Sequence, residues 1–102
     1  MHPIVEAKRD DVAALCRRLG VRRLELFGSA ARDDFDESRS DIDFLVEFDD
    51  HANRPVLETF FGLQEGLEQL FGRPVDLVSR GAVDNPYVRA SMDRDKQLIY
   101  AT

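Results

Sequence analysis

The sequence predicts a sheet with helices packed on one side, an α/β or α+β arrangement. Three observations carry that expectation. Apolar residues recur at helical spacing over residues 4–19 and again over 55–71, residues 41–48 alternate at strand spacing, and short connections marked by Gly or Pro separate these stretches. At 102 residues the chain is the length of one domain, and residues 1–102 are expected to form it. Leu, Ile, Val and Phe supply 30 of those residues, above the roughly 20 % below which high net charge leaves a chain disordered. A core of that size needs neither a disulfide nor a structural metal. The single cysteine, Cys16, agrees with a reducing compartment.

The first element is an amphipathic helix over residues 4–19, with Val12, Leu15, Cys16 and Leu19 on its apolar face and Gly20 as its stop. Cys16 is thereby a core residue. Leu24-Glu25-Leu26-Phe27 reads as a short strand running into Gly28-Ser29, and Ala30-Ala31-Arg32 as one helical turn. In residues 41–48, Ile42, Phe44, Val46 and Phe48 fall on one face, and Asp41, Asp43, Leu45 and Glu47 on the other. The main core helix spans 55–71, with Val56, Leu57, Phe60, Phe61, Leu63, Leu67, Leu70 and Phe71 as its apolar residues, Pro55 in the first turn and Gly72 at the stop. Gly62 and Gly66 each cost that helix about 1 kcal/mol relative to Ala, which points to close packing against them. Val75-Asp76-Leu77-Val78 is a third strand, Asn85-Pro86 opens a last helix, and Leu98-Ile99-Tyr100 reads as a fourth strand. Pattern alone leaves the strand order open.

Charge excludes some functions. A net charge of −6 argues against affinity built on neutralising nucleic-acid phosphates, so no direct nucleic-acid partner is expected. No apolar run approaches the roughly 20 residues that cross a bilayer, and the amino terminus lacks the layout of a secretory signal, so the expected location is the cytoplasm, with no membrane partner. Nine of the 20 acidic residues lie between Asp33 and Asp50, against one basic residue, Arg39. Such a block is commonly a solvated loop. Here it overlaps an apolar strand.

Asp41 and Asp43 stand two apart on that strand, so their side chains leave one face about 6.6 Å apart along the backbone. Carboxylates so placed repel, and a shared hard cation or a raised pKa resolves the repulsion. Mg²⁺ takes oxygen ligands, keeps several waters, and is typically held by one or two carboxylates with substrate phosphates. An exposed acidic strand end is the plainer reading of this pair alone. Gly28-Ser29 sits where a strand passes into a short helix; glycine permits close backbone approach, and N–H groups at a helix start attract phosphate. The same dipeptide is also a common turn. Asp76 is a carboxylate in an otherwise apolar strand, directed away from the face of Val75 and Leu77. If its strand neighbours residues 41–48, it joins the other two carboxylates.

Taken in order, Gly28-Ser29, Arg32, Ser40-Asp41-Ile42-Asp43-Phe44-Leu45-Val46 and Val75-Asp76-Leu77-Val78 resemble the pattern of the DNA polymerase beta-like nucleotidyltransferase superfamily. More closely they resemble its minimal nucleotidyltransferases, the antitoxin partners of HEPN-domain toxins. Asn85-Pro86-Tyr87 and the Leu98-Ile99-Tyr100 ending extend the likeness over most of the chain. One departure is the spacing: eleven residues separate Ser29 from Asp41, one more than in the commonest minimal form. The resemblance implies an α+β fold, a small mixed sheet with helices mainly on one side, and transfer of a nucleoside monophosphate from an NTP to a hydroxyl with two Mg²⁺ ions. It further implies that Asp41 and Asp43 hold the nucleotide-bound metal and share the second, and that Asp76 completes the second and helps deprotonate the acceptor. Gly28 and Ser29 would bind the β- and γ-phosphates. Arg32, one helical turn after Ser29, would reach a phosphate oxygen or pair within the acidic block. Arg39 and Ser40 are assigned to loop termination, His2 and His51 to solvent, and Tyr87 and Tyr100 to packing.

Only 26 residues follow Asp76, too few for the helical domain with which larger nucleotidyltransferases grip an acceptor, so the acceptor is expected from a partner. In the resembled antitoxins it is a tyrosine of the cognate HEPN ribonuclease toxin, adenylylated with ATP. Two alternatives stand beside that expectation: an antitoxin acting by binding and occlusion alone, and a subunit that modifies a small molecule such as an aminoglycoside.

Overall fold

In a computed structural model of the chain, residues 3–28, 31, 41–49, 55–80, 90 and 96–102 are described below. The elements are α1 (Pro3–Ala7), α2 (Arg9–Leu19), β1 (Val21–Phe27), β2 (Ile42–Phe48), α3 (Val56–Phe71), β3 (Val75–Ser79) and β4 (Gln97–Ala101).

The first helical stretch is two helices rather than one. Lys8 takes φ −106° and ψ 7°, and its N–H donates to the Val5 carbonyl three residues back, which closes α1 before α2 begins. The break lets Val5 bury completely alongside Val12 and Cys16. In α2, Asp10 and Asp11 in the first turn and Arg17 and Arg18 in the last suit the helix dipole. Gly20 ends the helix at φ +73°, its N–H bonded to the Cys16 carbonyl, and the chain enters β1 immediately. Strand β1 therefore begins at Val21, three residues before the Leu24 expected from pattern.

The strands form one mixed sheet in the order β3-β2-β1-β4, with β1 antiparallel to both neighbours and β2 parallel to β3. The alternation expected in β2 is present: Ile42, Phe44 and Val46 are fully buried and face the helices with Leu24 and Leu26 of β1 and Val75 and Leu77 of β3. Helices α2 and α3 complete this core with Val12, Leu15, Cys16, Leu63, Leu67 and Phe71.

Helix α3 departs from its expected face. Its buried residues are Thr59, Leu63, Leu67 and Phe71, while Val56, Leu57 and Phe61 are more than half exposed. Phe61 lies about 200° of helical rotation from Leu63, on the outer side. Val56 and Leu57 occupy the first turn, ahead of the buried stripe. Pro55 takes the N-cap position rather than the first helical one, and Gly72 ends the helix at φ +64°. The two internal glycines differ. A Cβ on Gly66 would stand 2.8 Å from Leu15 Cδ2 of α2, so close packing explains that position; around Gly62 nothing lies within 4 Å, and the expectation of close packing fails there.

No described helix is long and apolar enough to cross a membrane. Of the helix expected from Asn85 onward Ala90 is described, as a helical residue; the rest of it, together with His2, Arg39, Ser40, His51 and Tyr87, lies outside the described residues.

Candidate active site

The face of the sheet turned away from the helices carries the candidate residues. Period-two alternation places Asp43 on it because Ile42 and Phe44 are committed to the core, and places Asp76 on it because Val75 and Leu77 are. Strand order then brings them together: Asp43 and Asp76 are register partners on the parallel strands β2 and β3, so their backbones stand one strand spacing apart, about 4.8 Å. On the other side Asp43 pairs with Phe27, the last residue of β1. Asp41 lies one residue before β2, is exposed, and precedes Asp43 by one strand repeat.

Gly28 follows directly from Phe27 and adopts φ +73°, a left-handed conformation that side-chain-bearing residues rarely take. Its backbone passes so close to Asp43 that a Cβ there would collide with Asp43 Oδ2 and stand 3.2 Å from its Cγ. Glycine is thus required twice, for conformation and for room beside a carboxylate. The Ala31 N–H donates to the Gly28 carbonyl at 3.1 Å, a three-residue turn where a short helical turn is expected. Ser29 and Arg32 lie outside the described residues.

The donor set is composed of carboxylate oxygens, which suits a hard cation. Among the described residues no three His, Cys, Asp or Glu side chains form a group able to hold an ion by themselves. The structure brings Asp43, Asp76 and Gly28 together and leaves Asp41 at the margin.

One row further along the same face lies a group that sequence reading passes over. Glu25 on β1, opposite Leu45 of β2, is only 2 % exposed. Its carboxylate meets Arg80 Nη1 at 2.8 Å, Arg23 Nε at 3.3 Å and Lys96 Nζ at 3.3 Å. A buried carboxylate needs such partners, since desolvation would otherwise be prohibitive. The available signal was an acid within an apolar strand, Leu24-Glu25-Leu26, the same signal that singles out Asp76.

Cys16 is fully buried between α2 and the sheet, and burial pushes its thiol up from 9.0 to about 12, with a smaller opposing effect from Arg17. It is a packing residue, as its spacing predicts.

Comparisons with known proteins identify the family and the fold. The model of the nucleotidyltransferase domain family matches residues 12–99. The protein adenylyltransferase MntA of Thermococcus cleftensis is 42 % identical over 86 residues, covering 84 % of this chain and 80 % of its own. A solved structure described as a candidate minimal nucleotidyltransferase superposes with a TM-score of 0.75 at 36 % identity, covering 91 % of this chain and 90 % of the other. The fold also matches, at 18 % identity and a TM-score of 0.65, a chain from the complex of a tri-AMPylated Shewanella oneidensis HEPN toxin with its MNT antitoxin, covering 95 % of this chain and 72 % of that one. With a family model spanning most of its length and relatives above 40 % identity, the chain belongs to the nucleotidyltransferase domain family.

Proposed function

We propose that the chain transfers AMP from ATP to a tyrosine hydroxyl of a partner HEPN ribonuclease toxin and thereby neutralises it. The observation that carries the reading is the cross-strand pair Asp43 and Asp76 on the sheet face away from α2 and α3, with the backbone of Gly28 pressed against Asp43. The name of the Thermococcus relative and the complex of the Shewanella antitoxin supply the acceptor class.

In this reading Asp41, Asp43 and Asp76 would hold Mg²⁺. Two such ions, when bound, neutralise the triphosphate and stabilise the entering and leaving oxygens of an in-line displacement. The chain's own residues do the positioning. Gly28 and Ser29 hold the β- and γ-phosphates through backbone N–H groups and the serine hydroxyl, and Arg32 is assigned to the same phosphates. Asp76, on the edge strand, accepts the proton of the tyrosine hydroxyl. The phenolic oxygen bonds to the α-phosphorus, the bond from that phosphorus to the α,β-bridging oxygen breaks, and pyrophosphate leaves. Positioning and charge supply most of the rate in such a transfer, and a preformed sheet face provides both.

The test is the intact mass of the partner toxin after co-expression. Wild-type chain is expected to add one or more adenylate increments, and Asp76→Asn none while still binding Mg-ATP. An unmodified partner that is nevertheless fully neutralised would establish occlusion and overturn the reading.

A further inference from the structure

Among the described residues strand β3 lies at the edge of the sheet and pairs only with β2, and parallel pairing is slightly weaker per residue than antiparallel. Yet this five-residue strand carries Asp76, whose position opposite Asp43 depends on how firmly β3 is held. It is fastened from outside the pair at both ends. At its start, Gln64 Nε2 donates to the Val75 carbonyl at 3.2 Å, and the Val75 N–H donates to Glu68 Oε2 at 3.2 Å. Gln64 and Glu68 are four apart on α3, so one helix face grips both polar backbone groups of the residue preceding Asp76. Just past the other end, Arg80 passes over β2 to the buried Glu25 of β1 at 2.8 Å. Asp76 stands between the two fastenings.

We infer that Gln64 and Glu68, with the Arg80–Glu25 pair, are positioning residues that fix Asp76 opposite Asp43 for transfer. The inference rests on the reading that Asp76 takes part in AMP transfer. The asymmetry of the sheet gives it a distinctive signature: Asp43 lies on central β2 and Asp41 one residue before it, and α3 meets β2 through the Phe44–Phe71 ring contact and not through Gln64 or Glu68, whereas Asp76 depends on the grip of those two residues. Loosening the grip therefore impairs the chemical step and spares nucleotide binding. A misplacement of about 1 Å at such a site can cost about 10²-fold in rate.

The experiment compares Gln64→Leu/Glu68→Leu with Glu68→Gln, which keeps an acceptor oxygen for the Val75 N–H, and with Arg80→Met. The readouts are adenylyl-transfer kinetics and amide hydrogen exchange. The Leu double variant is expected to lose 10- to 100-fold in kcat with KM for Mg-ATP within about twofold, and to exchange its β3 amides faster while β2 amides keep their protection. Arg80→Met is expected to show the same split, and Glu68→Gln to stay near wild type. Faster β3 exchange with unchanged kcat overturns the inference, as does a rise in KM matching the fall in kcat. Should the double variant not fold, Glu68→Leu against Glu68→Gln carries the same comparison. If wild type itself transfers no AMP, the proposed function fails on its own; the grip is then judged by exchange, where unchanged β3 protection in the variants overturns it.

Discussion

Replacing Gly28 by Ala separates the two demands placed on that position. The first is conformational: at φ +73° an L side chain costs about 1–2 kcal/mol, which for a domain of this size lowers Tm by roughly 5–15 °C. The second is spatial. The new methyl would collide with Asp43 Oδ2 and crowd Cγ at 3.2 Å and Cβ at 3.4 Å. Rotation of the Asp43 side chain relieves the clash, and it moves the carboxylate from its place opposite Asp76. Gly72→Ala is the matched control, with φ +64° and nothing within 4 Å of its Cβ. Both variants are expected to lose Tm in calorimetry, Gly28→Ala by at least as much as Gly72→Ala. Only Gly28→Ala should lose Mg²⁺-dependent ATP binding by titration, at least tenfold, and it should lose little more when added to Asp43→Ala. If Gly28→Ala bound Mg-ATP as tightly as Gly72→Ala, the claim that this glycine exists to make room for Asp43 would be refuted.

Further expectations follow from packing and burial. Gly62→Ala gains about 1 kcal/mol of helix propensity into open space and should raise Tm, whereas Gly66→Ala offsets the same gain by forcing Leu15 Cδ2 and Cδ1 outward from 2.8 and 3.0 Å, an overpacking cost of about 1–3 kcal/mol; thermal melts of the two should move in opposite directions or leave Gly66→Ala unchanged. Phe44→Ala, at a fully buried position of β2, should cost about 3–5 kcal/mol in urea unfolding. Cys16 holds its proton to about 12 in the folded state against 9.0 ordinarily, so its contribution to stability is full below pH 9 and is lost as pH rises toward 12, by about 1.4 kcal/mol per pH unit. Cys16→Ser should flatten that alkaline slope in pH-dependent unfolding.

The parts of the site legible in sequence were those tied to short-range periodicity. Alternation alone puts Asp43 opposite in face to Ile42 and Phe44, and Asp76 opposite to Val75 and Leu77, and the structure agrees at every one of those residues. That β3 lies beside β2 in parallel is a long-range fact, set by how α3 packs between them in sequence and across the sheet, and no local pattern reports it. The same distinction explains the errors. A 3.6-residue period marked Val56, Leu57 and Phe61 as core, but a helix is buried only where a neighbour covers it, and the cover begins at Thr59. Gly62 and Gly66 look alike in sequence and differ in structure because Leu15 comes from another helix. Glu25 escaped notice because its meaning lies in Arg80 and Lys96, 55 and 71 residues away.

The most direct test of the central claim, that this sheet face is a transfer site and not an inert docking surface, is an RNA-cleavage assay with partner toxin in large molar excess over the chain. Incubation uses Mg-ATP, or an analogue that cannot be cleaved between the α- and β-phosphates, followed by removal of the chain. A transfer site predicts that a small molar fraction silences the excess toxin with Mg-ATP, that silencing persists after removal, and that the analogue abolishes it. Protection that tracks molar ratio, ignores the analogue and ends when the chain is removed would contradict it.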